Sequence, residues 1–185
     1  MQSLQRRMPP EARRKQLISA AMRCYGELGV ERAGHGDIAK LAGVSTATVF
    51  NYFGTREALT ETVFQSIYDT FADVFPVDTY SKSYPKDPLK DLASTYIDFV
   101  EDHPDILKVV LNWSSSFGQS VRPQYLKFQD WILSGVQKSL HAAENDLSES
   151  RIILAAAYSY ARMKLDNTPE DVLQRFVVRT IKAMS

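Results

Sequence analysis

Between Gly43 and Arg56 the chain gathers side chains suited to gripping a polyanion rather than reacting with it. Ser45, Thr46, Thr48 and Thr55 bring hydroxyls, Asn51 a carboxamide, Tyr52 a phenol, Ala47 a methyl group and Arg56 a guanidinium. Hydroxyls and guanidinium suit phosphate oxygens, a carboxamide can bond the edge of adenine, and small apolar groups can meet the methyl of thymine. Covalent chemistry finds no comparable set. The histidines are His35, His103 and His141, without metal-ligand spacing, and there is neither a glycine-rich phosphate loop nor a nucleophile elbow. Cys24 is the single cysteine, so it forms no internal disulfide and no metal cage, and it reads as a small buried apolar side chain. The expectation is a protein that is not an enzyme and takes no cofactor or metal.

For these side chains to act together, short helices must hold them at one corner. From Glu11 to Leu28 apolar residues recur at three-and-four spacing (Leu17, Ala20, Ala21, Cys24, Tyr25, Leu28), and Gly29 follows where a helix end belongs. A brief helix over 37–42 stops at Gly43, whose freedom at positive φ suits a tight turn. Ser45 is placed to cap a third helix that runs to Phe53. Val49 and Phe53 lie four apart on its inner face, which turns Thr46, Ala47, Thr48, Asn51 and Tyr52 outward. Two short helices around such a turn cross steeply, and the second has the dimensions of a probe for a major groove roughly 12 Å wide. The plainer alternative is a helical hairpin whose polar face only meets water.

Beyond Gly54, Thr55 caps a long fourth helix with a stripe of Leu59, Val63, Ile67, Phe71 and Val74. Residues 76–88 hold three prolines and no periodicity, the mark of a connector. A fifth helix follows, then a sixth entered through Pro104 and apolar nearly all round over 106–113, as in the centre of a bundle. A seventh carries Val121 to Leu140, an eighth is expected over 151–165 with Ser148 as cap, and Thr168-Pro169-Glu170-Asp171 resembles a capping box opening a ninth. The reading is all-α, with about nine helices, no strand and no repeat. Residues 1–54 are expected to form an N-terminal arm and helix-turn-helix, and 55–185 a second helical domain, to which the resemblance described below adds a regulatory and dimerisation role.

Charge is distributed to match. The chain is formally neutral, but residues 1–57 carry nine Lys/Arg against five Asp/Glu, and the remainder carries the compensating excess of acid. A basic module on a body that does not meet polyanion fits this asymmetry. No run approaches the roughly 20 apolar residues of a membrane span, and the N-terminal residues lack the apolar stretch of a signal peptide. The expectation is a cytoplasmic protein without a membrane partner.

These residues carry a resemblance. Gly43-Val44-Ser45, the aromatic-rich Val49-Phe50-Asn51-Tyr52-Phe53 and Arg56-Glu57-Ala58-Leu59 resemble, in order and spacing, the signature of the TetR family of transcriptional regulators. More narrowly, Gly34-His35-Gly36-Asp37-Ile38-Ala39, the run from Ala47 to Phe53 and Thr55-Arg56-Glu57 are similar to the LuxR/HapR quorum-sensing master regulators, as is Leu107-Lys108-Val109 with Trp113-Ser114. The resemblance is strong over residues 11–60, patchy over 105–125 and architectural elsewhere. It implies a homodimer reading a pseudopalindromic operator in double-stranded DNA. Phe50 stands where many of these proteins have a tyrosine whose hydroxyl touches phosphate, and Arg56 where lysine is common.

By this resemblance the DNA-contacting set is Arg6 and Arg7 of an N-terminal arm, His35 at the start of helix two, and Ser45, Thr46, Ala47, Thr48, Asn51, Tyr52, Thr55 and Arg56. For Arg6 and Arg7 an idle solvated tail is an equal alternative to minor-groove entry. A small apolar effector is implied for the second half, its pocket lined by Phe71, Phe75, Leu111, Trp113, Gln129 and Leu133. The competing reading is that the aromatics simply fill a core. The dimer interface is expected from Ile152, Ile153, Ala156, Tyr160 and Met163 of helix eight and Leu173, Phe176, Val177, Thr180 and Ile181 of helix nine. A protein of the same shape that acts through protein partners, without ligand control, is the alternative function.

Overall fold

The computed structural model describes residues 8–75, 87–118, 121–140 and 147–184. Among them nine helices and no strand occur: α1 (Pro10–Leu28), α2 (His35–Ala42), α3 (Thr46–Phe53), α4 (Arg56–Val74), α5 (Pro88–Asp102), α6 (Pro104–Ser114), α7 (Arg122–Ser139), α8 (Ser148–Leu165) and α9 (Glu170–Met184). Prolines open α1, α5 and α6, where the missing N–H costs nothing. No helix among the described residues is long and apolar enough to cross a membrane.

The α2–α3 corner is built by Gly43, at φ 66° and ψ 37°. Its N–H donates to the Lys40 carbonyl, and the Val44 N–H reaches back to the Ala39 carbonyl at 3.0 Å. These paired bonds close α2 by satisfying carbonyls the helix leaves free. Ser45 then caps α3 as expected, its Oγ accepting from the Thr48 N–H at 3.2 Å, and Thr55 caps α4 in the same way through Ala58 at 3.1 Å.

Several expected boundaries move, and α2 starts at His35, two residues before the expected 37. α8 starts at Ser148, so Ser148 is its first residue and not its cap. α9 starts at Glu170, which leaves Pro169 just outside the helix, its carbonyl accepting from Val172 and Leu173.

The core runs without a break from the head into the body. Leu17, Tyr25, Ile38 and Val49 belong to one buried cluster with Leu59, Val63, Ile67, Phe99, Leu107, Trp113 and Phe128. α6 supplies six buried residues, including Ile106, Leu107, Val109 and Val110, as its all-round apolar pattern predicts. Its polar exception, Asn112, is directed: the side-chain Nδ2 donates to the Gly26 carbonyl at 2.7 Å. A second α1 tie is Tyr25, whose hydroxyl shares a hydrogen bond of 2.9 Å with Thr60 Oγ1 of α4.

Candidate nucleic-acid interface

α3 presents one face to the core and the other to solvent. Val49 and Phe53 are buried, while Thr46, Ala47, Phe50 and Asn51 are exposed. Thr46, Ala47 and Asn51 therefore lie together on the accessible side as the spacing predicts. Tyr52 is half-buried and packs against the core cluster, so it sits at the edge of this face. Ser45 and Thr48 hydrogen-bond each other through their hydroxyls at 2.9 Å. With Thr55 they serve first as helix-end devices, and their hydroxyls reach an external group only in addition to that duty.

Three residues differ from the sequence expectation. His35 is buried, at 7% exposure, and lies parallel beneath Phe50 with ring centroids 4.1 Å apart. It therefore lies under the outer face of α3 and not on it. It does not cap α2 either, because the residue before it, Gly34, takes that position and donates its N–H to Asp37 Oδ2 at 2.9 Å. Burial holds the His35 imidazole below its ordinary pKa, and the nearby Arg56 charge pushes the same way, against the opposing pull of Glu57. Its Nε2 is buried and has no hydrogen-bond partner, which suits a neutral ring.

Arg56, the first residue of α4, points one guanidinium nitrogen at the Val30 carbonyl, 2.8 Å away. That bond ties α4 to the α1–α2 turn, and the remaining donors of the planar fork stay free for an external anion. Phe50, which sequence reasoning treats only as lacking a hydroxyl, is half exposed. The signal was available: it is next to the inward Val49 and four positions from Thr46, a spacing that returns to the outer face.

Sequence reasoning also missed how α1 supports the corner. Arg14 stacks its guanidinium over the Phe53 ring at 5.5 Å, Gln16 donates to the Ala42 carbonyl at 3.2 Å, and Arg13 bonds Gln16 Oε1. Arg14 is thereby held beside α3, and Arg13, through Gln16, beside the end of α2. Arg6 and Arg7 lie outside the described residues.

The pocket expected around Trp113 and Gln129 is filled. The Trp113 indole stacks on Phe64 at 3.8 Å and packs against Phe128 and Tyr125, while its Nε1 donates to the Val121 carbonyl at 2.9 Å. Gln129 donates to the Tyr125 hydroxyl at 3.1 Å. Leu111 and Leu133 are buried in the core. Of the expected set only Phe71 and Phe75 border a groove, of about 140 Å³, that opens between the end of α4, α5, α7 and the inner sides of α8 and α9.

The residues expected at the dimer face differ in exposure within the protomer. Of its ten residues only Ile152 is exposed. Tyr160 and Leu173 are buried inside the protomer, and Ile153, Ala156, Phe176, Val177, Thr180 and Ile181 turn inward to the groove. Met163 is half-buried against the core. The physical reason is that α8 and α9 must first bury one stripe against their own body. What remains outside centres on Ile152 and Val178, at 58% and 64% exposure.

Residues 17–63 match the model of a family described as bacterial regulatory proteins, tetR family. Among curated proteins the chain is similar to the HTH-type transcriptional regulator LuxR of Vibrio harveyi, 32% identical over 65% of this chain and 58% of that protein. It is also similar to the HTH-type transcriptional regulator BetI of Burkholderia lata, 28% identical over 63% of this chain and 59% of that one. In both cases the match spans less than two thirds of the relative's length. Among solved structures, a TetR transcriptional regulator from Legionella pneumophila superposes with TM-score 0.74, at 16% identity, over 97% of this chain and 100% of that chain. A TetR-like transcriptional regulator from Rhodococcus gives 0.72 at 17% identity, over 95% and 99%. At such identities the structures establish the shared fold alone.

Proposed function

We propose that this chain, whose residues 17–63 match the model of the tetR family of bacterial regulatory proteins, is a sequence-specific DNA-binding transcriptional regulator. The observation that carries this reading is the outward face of α3, where Thr46, Ala47 and Asn51 stand exposed beside the Gly43 corner. In this reading residues 1–54 are the DNA-binding head and 55–185 the regulatory and dimerising body. Asn51 reads a base edge, Thr46 and Ala47 meet the groove wall, and Ser45, Thr48, Tyr52, Thr55 and Arg56 approach the flanking backbone. Arg6 and Arg7 add an arm to the minor groove.

One head of this size binds weakly, so two copies are required, with their reading helices about 34 Å apart on a pseudopalindrome. The exposed apolar side chains Ile152 and Val178 support α8 and α9 as the pairing face. Control by a small apolar effector and a quorum-sensing-type role complete the reading, the latter through the resemblance to LuxR.

The test is selection of bound duplexes from random-sequence DNA by the purified chain, followed by titration of the enriched duplex at several salt concentrations. An inverted repeat with half-sites one helical turn apart is the expected product. Enrichment of no sequence, or a salt dependence as flat as for an uncharged protein, removes the reading.

A further inference from the structure

We propose that Phe50 reads the C5-methyl group of a thymine in the major groove, and that His35 is the positioning residue that holds its ring for that contact. The inference rests on the DNA-binding reading above and deepens it by naming a base feature that the reading helix selects.

Phe50 is 50% exposed on the outer side of α3. It stands four positions after Thr46 and three after Ala47, so the three side chains share one stripe of the helix, with Asn51 beside it. An isolated exposed phenylalanine would be ordinary. This one is held: the His35 imidazole lies against one face of the ring, with centroids 4.1 Å apart and planes 4° from parallel. The open half of Phe50 is therefore presented in a fixed orientation.

His35 has no second duty that accounts for it. It opens α2 without capping it, it is 7% exposed, and its Nε2 is sealed without a hydrogen-bond partner. An unpartnered buried nitrogen costs free energy that an apolar side chain would not. What offsets it here is the flat surface under Phe50. Burial keeps the imidazole below its ordinary pKa, so the support is a neutral ring that adds no charge to the grip on phosphate.

A phenyl ring can neither donate to a phosphate nor pair with the polar atoms of a base edge. Among the groups that base pairs present in the major groove, the thymine methyl is the apolar one. A ring already fixed in orientation covers that methyl and excludes water from both, without the ordering cost that a freely turning side chain would bear. The cations nearby, Arg14 over Phe53 and Arg56 at the start of α4, favour duplex DNA over an apolar protein surface as what covers the ring.

The test uses the full chain and the inverted-repeat duplex enriched from random-sequence DNA. Each thymine is replaced in turn by deoxyuridine, which lacks only the methyl group, at matching positions of both half-sites. Affinity is read by anisotropy. One thymine is expected whose replacement weakens binding at least about fivefold. In Phe50→Ala that preference disappears, and the thymine and uracil duplexes bind equally within about twofold. His35→Ala shrinks the same preference below about twofold, His35→Phe restores it, and the salt slope is unchanged in both. Folding is checked by circular dichroism, and if His35→Ala does not fold, His35→Leu, which fills the space without a flat ring, is read in its place.

Indifference to every thymine methyl overturns the proposal. A preference that survives Phe50→Ala assigns the methyl to Ala47 or Thr46 and overturns it too. Equal weakening of the thymine and uracil duplexes by the folded His35 variant, with the preference intact, reduces His35 to a core-filling residue and overturns its positioning role. Enrichment of no duplex defeats the regulatory reading and this inference together, whereas sequence-selective binding that ignores thymine methyls defeats this inference alone.

Discussion

Gly43→Ala isolates the geometry on which the reading helix depends. At φ 66° the residue occupies the left-handed region, and a Cβ built there meets no other atom within 4 Å. The penalty is therefore backbone strain without steric overlap, about 1 to 2 kcal/mol for an L-residue in this conformation. Part of it is offset because alanine also restricts the unfolded chain, an effect of roughly 0.4 to 1 kcal/mol. A net loss of about 1 kcal/mol is expected, or roughly a fivefold fall in the folded-to-unfolded ratio. With a urea dependence of about 2 kcal/mol per molar, the midpoint falls by about 0.5 M. The assay is urea unfolding followed by circular dichroism, at one protomer concentration throughout so that self-association does not blur the comparison. Gly43→Asn, which tolerates this conformation better, should lose less than the alanine variant. An alanine variant as stable as the parent, or more stable, would refute the argument, because it would mean that the corner does not need a left-handed residue and that α3 is aimed by something else.

Asn51→Ala is expected to weaken binding to the selected duplex by about 1 to 3 kcal/mol while leaving the melting temperature unchanged, and equal affinity in an anisotropy titration removes Asn51 from the interface. Arg56→Ala should both destabilise the head, by about 1 to 2 kcal/mol through the lost bond to the Val30 carbonyl, and lower the salt slope of DNA binding by about one; an unchanged slope confines Arg56 to its structural bond. The unfolded chain protonates His35 near its ordinary pKa while the buried ring resists, so its contribution to stability is present above about pH 6.5 and is lost as the pH falls below it. His35→Phe, which keeps the ring against Phe50, should flatten that part of the pH–stability profile, and an identical profile in both proteins would show that another group is responsible. Ile152→Glu combined with Val178→Glu should give monomers in sedimentation velocity at micromolar concentration, and a persistent dimer would place the pairing face elsewhere.

Local rules made most of the head legible from its residues. Gly43, Ser45, Gly54 and Thr55 act through turn and cap chemistry that depends only on near neighbours, and the inward placement of Val49 and Phe53 follows from helical period alone. The burial of most of α6 was equally readable, because a helix apolar nearly all round offers water only the narrow side that carries Lys108 and Asn112. What escaped prediction depends on which helix packs against which. Nothing in the order of residues tells that His35 slides under Phe50, that Arg14 covers Phe53, or that Trp113 is enclosed by Phe64 and Phe128. The placement of the expected pocket and dimer residues was hidden for the same reason. Amphipathic α8 and α9 announce an apolar stripe but not whether it is spent on their own body or on a neighbour, and Tyr160 and Leu173 were spent at home.

The Asn112 amide has a mechanical meaning. It fastens to Gly26, in the last turn of α1, on a carbonyl that the helix cannot satisfy internally. α6 thus holds α1 by its trailing end, while the leading end of α1 braces the reading corner through Arg14 and Gln16. α1 is thereby a shared member: its buried length, with Leu17, Ala20 and Ala21 sealed and Tyr25 bonded to Thr60 of α4, couples the placement of the corner to the packing of the body.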